Sequence, residues 1–107
     1  MTRISTEQDV VTLVNVFTVE PERQQRLVDL LIEATRTVVR DEPGFVSANI
    51  HKSVDGTKVV NDAQWRRQAD FEAMLRDPAA QPHLQAAGEL ATSFEPHLYQ
   101  VVFTDER

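Results

Sequence analysis

Two asparagines, a tryptophan and a histidine are the side chains of this sequence best suited to chemistry: Asn15, Asn61, Trp65 and His51. An amide is not a base at neutral pH, but it donates and accepts hydrogen bonds. An indole offers a flat apolar surface with one N–H, and an imidazole exchanges its proton near neutral pH. These residue types predict a site that holds a polar, flat ligand rather than a hydrolytic site.

Other kinds of site lack the residues that they need. The three histidines (His51, His83 and His97) show no paired spacing of metal ligands, and no serine lies in a glycine-flanked nucleophile turn. The chain has no cysteine, which excludes disulfides and thiolate sites, and its three glycines form no phosphate-binding loop. We therefore expect no metal and no bound cofactor.

Hydrophobic patterning predicts the elements that position these residues. Strands are expected at Val10–Val19, Phe45–Ser53, Thr57–Arg67 and Leu98–Thr104, and helices at Pro21–Arg40, Asp70–Arg76 and Ala79–Ala91. Pro78 separates the last two helices, Asp55-Gly56 predicts a hairpin turn, and Pro96 precedes the last strand. The order predicts an α+β, ferredoxin-like βαββαβ fold with an antiparallel sheet and the helices on one face.

Alternation along the strands predicts which side chains share a face. Asn15 shares a face with Phe17, Asn61 shares one with Trp65, and His51 shares one with Phe45. If these faces coincide, they line a pocket between sheet and helices. A buried amide without a partner costs about 1–3 kcal/mol, so it needs a network, water or a ligand. Taken singly, Asn15 is also compatible with a buried water site and Trp65 with a core position.

Further side chains are candidates for contact with a ligand. Phe17 lies on the same predicted face as Asn15, and Met74 lies on the apolar face of its helix. His83 points either into the pocket or to solvent. The opposite face of the first strand carries Val14 and Val16, which need a cover, and a second subunit would supply it. We therefore expect a homodimer.

Length and charge limit the remaining possibilities. The 107 residues predict a single domain over 1–107 with a core over 9–104. The net charge of −6, with 17 acidic and 11 basic side chains and no basic run, argues against a nucleic-acid partner. No apolar stretch is long enough to cross a membrane, and the N-terminus lacks the apolar core of a signal peptide, so a cytoplasmic protein is expected.

Four segments of the chain together resemble the antibiotic biosynthesis monooxygenase family. They are VVTLVNVFTV, EPGFVSANIHKSVDGTKVVNDAQW, ADFEAMLRDPAAQPHL and FEPHLYQVVF, and the similarity extends over residues 9–104. The resemblance implies ferredoxin-like subunits that pair into a dimeric α+β barrel. It also implies site roles for Asn61 and Trp65, in an N-x-x-x-W motif, and for Asn15 and His51, with Tyr99 as a candidate for a tyrosine that some members use.

The resemblance further implies a cofactor-independent monooxygenase that oxidises an anthrone-like aromatic polyketide to a quinone with O₂. In this hypothesis Asn61 and Asn15 donate hydrogen bonds to the developing oxyanion, Trp65 stacks on the rings, and His51 accepts a proton. Three alternatives stay open. One is a non-catalytic or cyclase-like dimer that binds a polyketide or quinone. Another is a haem-degrading monooxygenase that uses Asn15, Trp65 and His83. The third is oxidation of quinols or handling of reactive aldehydes, as the resemblance to stress-related members of the family implies.

Overall fold

A computed structural model of the chain describes residues 2–6 and 9–107. Within these residues the four strands are β1 (Val11–Thr18), β2 (Phe45–Lys52), β3 (Lys58–Trp65) and β4 (Ser93–Tyr99). The three α-helices are α1 (Gln24–Thr37), α2 (Gln68–Arg76) and α3 (Gln81–Leu90), and single 3₁₀ turns over Pro21–Arg23 and Val39–Asp41 flank α1. No helix in these ranges is long and apolar enough to span a membrane.

The strands form one antiparallel sheet in the order β2-β3-β1-β4. The buried side chains of the sheet and helices form two clusters, one around Phe17, Leu27 and Val59 and the other around Leu13, Trp65 and Met74. Helix α1 packs over β2 and β3, whereas β4 makes its main contacts with β1. The predicted ferredoxin-like fold is therefore confirmed, and the helices cover the sheet less completely on the β4 side.

Turn chemistry fixes the β2–β3 hairpin where the Asp-Gly pair predicts it. The carboxylate of Asp55 accepts hydrogen bonds from the backbone N–H of Thr57 at 3.0 Å and from its hydroxyl at 2.7 Å. These bonds lower the pKa of Asp55 to about 2, and the bond from the Thr57 hydroxyl has the largest effect. Gly56 follows with a φ of +84°, a conformation that glycine adopts without a Cβ clash.

The last strand differs from the prediction. We expected a strand over Leu98–Thr104 that begins after Pro96, but β4 spans Ser93–Tyr99 and contains this proline. Pro96 lies opposite Asn15 in the ladder with β1. Because β4 is an edge strand, one of its sides has no strand partner, and a proline is tolerated there. The prediction that the strand begins after Pro96 was wrong because it assumed a central strand, in which every backbone N–H group is needed for pairing.

Helix ends also differ from the expected boundaries. The predicted helix Pro21–Arg40 is shorter, since α1 begins at Gln24 and ends at Thr37 between the two 3₁₀ turns. Pro78 separates α2 from α3 as predicted. In this turn the carboxylate of Asp77 accepts a 2.9 Å hydrogen bond from the backbone N–H of Ala79. A local side-chain acceptor thus replaces helical bonding at the break.

Gly44, in the turn before β2, is expected to be far less tolerant of a side chain than Gly88. Gly44 has a φ of +82°, and an added Cβ would lie 2.5 Å or less from three side-chain atoms of Asp70. We predict that Gly44→Ala lowers the free energy of unfolding by about 1–2 kcal/mol or more. Gly88→Ala, whose added Cβ would meet Phe94 at an ordinary 3.6 Å, should instead stabilise helix α3 by about 0.5–1 kcal/mol.

Urea unfolding of the two variants beside the unsubstituted protein measures both effects. Equal stability of the Gly44 and Gly88 variants would show that the turn before β2 does not require glycine.

Candidate active site

A cavity of about 540 Å³ lies between the sheet and the helices. This volume is in the range that holds a small organic ligand. Its walls are mostly apolar and come from every strand and every α-helix, with Leu31 on α1, Ala48 on β2, Phe71 on α2, Leu84 on α3 and Leu98 on β4. Such a lining favours an apolar ligand and leaves the few polar groups to determine its orientation.

Asn15 and Asn61 form a pair of amides in this apolar lining. They lie directly opposite each other in the β1–β3 ladder, so their side chains project from the same face of the sheet. Directly opposed residues of an antiparallel pair have Cβ atoms about 4.5–5.5 Å apart. The Oδ1 atom of each amide is buried and finds no hydrogen-bond partner among the described residues. We call Asn15 and Asn61 the amide pair.

Trp65 provides a third polar atom that lacks a partner. Its side chain is 1% exposed, and the rings of Phe45 and Phe71 contact it edge-on with centroids at 5.6 and 6.1 Å. The indole Nε1 is buried without a hydrogen-bond partner in the part of the chain that the structure describes. Trp65 lies four positions beyond Asn61 on β3, which corresponds to about 13 Å along the strand. The cavity therefore has unpaired polar groups at two separate points.

Three further predicted residues, Phe17, Met74 and His83, also line the cavity. Phe17 is 5% exposed and its ring lies 6.1 Å from that of Phe94, which lines the cavity from β4. Met74 is also 5% exposed and belongs to the same buried cluster as Trp65. His83 is half-buried near the start of α3. The structure thus brings six of the eight predicted site residues to one cavity.

His51 is not among them, and its predicted position was wrong. A register shift between Phe45 and Ser47 breaks the alternation of β2. Beyond this bulge Ile50, not His51, lies opposite Asn61 and shares its face. His51 pairs with Val60, is exposed, and projects from the opposite face of the sheet. We call this face, which carries Val14, Val16 and Val60, the outer face.

Tyr99 also lies on the outer face rather than in the cavity. It pairs with Thr12 of β1, whereas the next residue, Leu13, points to the cavity. Its side chain is 49% exposed, and its ring lies 6.3 Å from that of His97. The predicted contact of Tyr99 with a ligand in this cavity is therefore wrong for the single chain.

Small residues make room for a ligand, and the sequence patterns did not lead us to expect them in the site. Ala48, Ala63, Ala80 and Ala87 line the cavity, and Gly88 lies beside them on α3. Large aliphatic side chains at these inward positions would fill the space. The recurrence of alanine at inward positions could have indicated this open space. The orientation of Ala48, however, could not be predicted from alternation because of the bulge in β2.

A pair of carboxyl groups links two wall segments. Glu42 precedes β2, and Asp77 lies between α2 and α3; Val39 and Ala80, near them in sequence, line the cavity. A hydrogen bond to Asp77, then burial, then the charge of Asp77 raise the pKa of Glu42 to about 7. The same bond and the N–H of Ala79 lower the pKa of Asp77. Below the raised pKa, protonated Glu42 donates a hydrogen bond to ionised Asp77.

This pair predicts a pH-dependent stability. Glu42 holds its proton more tightly in the folded than in the unfolded chain, so stability falls as the pH rises from about 4.5 to about 7. The lowered pKa of Asp77 acts in the opposite direction, with stability lost as the pH falls below its ordinary value of 3.8. Glu42→Gln keeps a donor to Asp77 without the titration, so the decline between pH 4.5 and 7 should be smaller in this variant.

Urea unfolding at several pH values measures this decline in stability. Glu33→Gln, at an exposed position of helix α1, is the matched control. A Glu42→Gln protein with the unsubstituted protein's pH slope would contradict the assignment.

Few groups in the cavity can hold a metal or exchange a proton. No cluster of three or more histidine, aspartate or glutamate side chains able to hold a metal is found among residues 2–6 and 9–107. His83 and His97 are the titratable residues of the lining in the described chain. The arrangement can therefore hydrogen-bond and enclose a flat molecule, with imidazole as its source of acid–base chemistry.

Comparisons with known proteins agree with this geometry. The sequence is 55% identical over 83 residues to the tetracenomycin-F1 monooxygenase of Streptomyces glaucescens, covering 78% of this chain and 74% of that protein. Among solved structures, the ActVA-Orf6 monooxygenase of Streptomyces coelicolor, in complex with nanaomycin D, has a TM-score of 0.80 at 26% identity. That similarity covers 96% of each chain.

A second solved structure, SnoaB, is a cofactor-independent oxygenase from Streptomyces nogalater. It has a TM-score of 0.75 at 28% identity, over 90% of this chain and 96% of that chain. The sequence profile of the antibiotic biosynthesis monooxygenases matches residues 10–89, which include the amide pair, Trp65 and most of the cavity walls. This chain is a member of the antibiotic biosynthesis monooxygenase family.

Proposed function

We propose that the protein is a cytoplasmic, cofactor-independent monooxygenase that oxidises an anthrone-like aromatic polyketide to a quinone with O₂. The observation that carries the proposal is the amide pair, whose buried polar atoms have no partner in the described chain and face an apolar cavity. A tetracenomycin-F1 monooxygenase at 55% identity and a cofactor-independent oxygenase of the same fold support the reaction type.

The proposed reaction converts a ring CH₂ group and O₂ into a ring C=O group and water. Removal of one proton from the substrate gives an electron-rich enolate. The enolate transfers one electron to O₂, and the two radicals combine to a peroxide on the same carbon. Protonation of the peroxide, loss of the second C–H proton and cleavage of the O–O bond release water and leave the quinone. All electrons come from the substrate.

The amide pair stabilises the enolate oxygen in this scheme. This role requires the N–H group of each amide to point into the cavity, and a turn about the terminal torsion allows that orientation. A hydrogen bond to a charged oxygen contributes about 1.5–3 kcal/mol. The apolar surroundings strengthen such a bond, since few water molecules compete for the oxyanion. Two donors on adjacent strands can therefore lower the barrier to enolate formation substantially.

Trp65 and its aromatic neighbours hold the fused rings. The distance of about 13 Å along β3 between Asn61 and Trp65 matches the length of a few fused aromatic rings. The indole Nε1 without a partner can donate to an oxygen at the far end of such a molecule. Apolar walls such as Leu13 and Phe71 exclude water, which limits side reactions of the radical pair.

Loss of either amide should slow oxidation of a model anthrone. We predict that Asn61→Ala and Asn15→Ala each reduce kcat/KM for dithranol by about 10- to 100-fold, from the loss of one charge-assisted bond. Asn49→Ala is the matched control, because Asn49 lies opposite Asp62 on the outer face and donates to its backbone oxygen at 3.1 Å. Quinone absorbance after admission of O₂ to metal-free protein is the measurement.

Full activity in both amide variants would contradict the oxyanion role. Binding without oxidation is a separate outcome, because the protein has one tryptophan, Trp65, which reports on the cavity. Quenching of its fluorescence by dithranol with no quinone above the uncatalysed background would favour the polyketide-binding alternative.

We further propose that two copies pair through the outer face. Val14, Val16 and Val60 form a half-buried apolar strip there. Thr2 and Arg3 lie over the neighbouring region of β2 and β3. There the hydroxyl of Thr2 donates to Asn49 at 2.8 Å, and Gln64 donates to the carbonyl of Arg3 at 2.9 Å. An apolar strip flanked by polar groups is typical of a subunit interface.

A charge in this strip should separate the subunits. We predict that Val16→Lys shifts the protein from dimer to monomer in sedimentation equilibrium, since an unpaired ammonium would be buried between the sheets. Val54→Lys is the matched control at the fully exposed hairpin turn. A monomeric unsubstituted protein, or a dimer that Val16→Lys leaves intact, would contradict pairing through the outer face.

A further inference from the structure

We propose that the imidazole of His83 accepts the proton that the substrate loses before it reacts with O₂. This inference rests on the proposed function, because oxidation of an anthrone begins with proton removal. The amide pair cannot take the proton, since a neutral amide is too weak a base. The reaction therefore needs a second type of group in the cavity.

Several titratable side chains of the sheet project away from the cavity. His51 and Asp62 project from the outer face, because they pair with Val60 and Val14. Glu95 and Tyr99, which pair with Val16 and Thr12, lie on this face of β4 as well. Strands β1, β2 and β3 thus supply amides, an indole and apolar groups to the cavity lining, and no acid or base.

His97 lines the cavity edge, but its imidazole lies on the outer side of β4. It pairs with Val14 of the outer face, and its Nε2 lies 3.6 Å from Oε1 of Glu95. Its ring also lies 6.3 Å from that of Tyr99. With the side chain 59% exposed, His97 is directed to the outer side of the edge strand. One imidazole remains for the cavity, that of His83.

His83 has the position that a proton acceptor needs. It lines the cavity from α3, across from the sheet that carries the amide pair, and it is half-buried. Neither ring nitrogen has a hydrogen-bond or ion-pair partner within the described ranges, so a lone pair is free for a substrate proton. The lining includes no Asp, Glu, Lys or Arg, and the acidic residues nearest to His83 in sequence, Asp77 and Glu89, lie outside the lining.

The proton can return in the same turnover. The imidazole takes one proton from the ring CH₂ group. The electron pair of that C–H bond forms the enolate, whose negatively charged oxygen accepts hydrogen bonds from the amide pair. After O₂ has received the electrons and the peroxide has formed, the imidazolium donates its proton to the peroxide oxygen. The O–O bond then breaks, and the outer oxygen leaves as water together with the second proton of the CH₂ carbon. The ring carbon becomes the C=O group, and His83 is neutral again.

Anaerobic mixing with dithranol isolates the proton transfer from the oxidation. In the unsubstituted protein we expect the absorption of the dithranol enolate without O₂. His83→Gln should show little enolate. Its quinone formation in air should be slower by about 100-fold or more, as for removal of a general base. Added free imidazole should restore part of the rate.

His51→Gln is the matched control, because it makes the same change on the outer face. His83→Asn, with a circular dichroism check of folding, separates loss of the base from loss of structure. A His83→Gln protein with the unsubstituted enolate yield and rate would overturn the role of His83 while leaving the proposed function intact.

The unsubstituted protein also separates the two claims. If it forms the enolate in a His83-dependent way but does not accelerate quinone formation, the proton acceptor is supported and the monooxygenase is not. If it forms no enolate at any pH between 5 and 8, the role of His83 is wrong.

Discussion

The register between β1 and β3 is the constraint on which the candidate site depends. Asn15 lies opposite Asn61 because these two central strands pair without a bulge along their whole length. The pairing runs from Val11 opposite Trp65 to Thr18 opposite Lys58. A shift by one residue would send one amide to the outer face and separate the pair. Apolar residues on both sides of the amides fix this register, since Leu13 and Phe17 must be buried against the helices. The hydrophobic core thus determines where the polar atoms lie.

Burial gives the amide pair its chemical significance. In water an amide contributes little to the stability of a nearby anion, because solvent already provides hydrogen bonds. In an apolar cavity few water molecules compete with an amide N–H group that donates to a ligand oxygen, so that hydrogen bond is stronger. Small side chains such as Ala63 and Ala87 keep the space above the amides open. The fold therefore sacrifices some packing and some hydrogen bonding at the place where a flat substrate fits.

Local patterns in the sequence were sufficient for the fold and for most of the site. The β-branched run around Asn15, the Asp-Gly turn and the break at Pro78 each have one dominant local cause, so the predicted elements agree with the structure. Alternation placed Asn15, Phe17, Asn61 and Trp65 on one side because β1 and β3 are regular. The roles of these residues in catalysis stay predictions.

Irregular pairing explains what alternation could not predict. The bulge after Phe45 changes which residues of β2 face the cavity, so His51 and Ala48 exchange their expected sides. A bulge depends on the partner strand, and no residue of β2 signals it alone. The position of β4 also depends on tertiary context, since Pro96 is tolerated only because this strand is at an edge. As a result the candidate base is His83 on a helix rather than His51 on the sheet.

The fate of the oxygen atoms tests the central claim, cofactor-free oxygenation in this cavity, most directly. Metal-free protein is mixed with dithranol under ¹⁸O₂, and the quinone is analysed by mass spectrometry before its carbonyls exchange with water. We predict that enzyme-formed quinone carries one ¹⁸O atom at the oxidised carbon, and that the second atom appears in water. Quinone without the label, or release of both atoms as hydrogen peroxide, would contradict the claim.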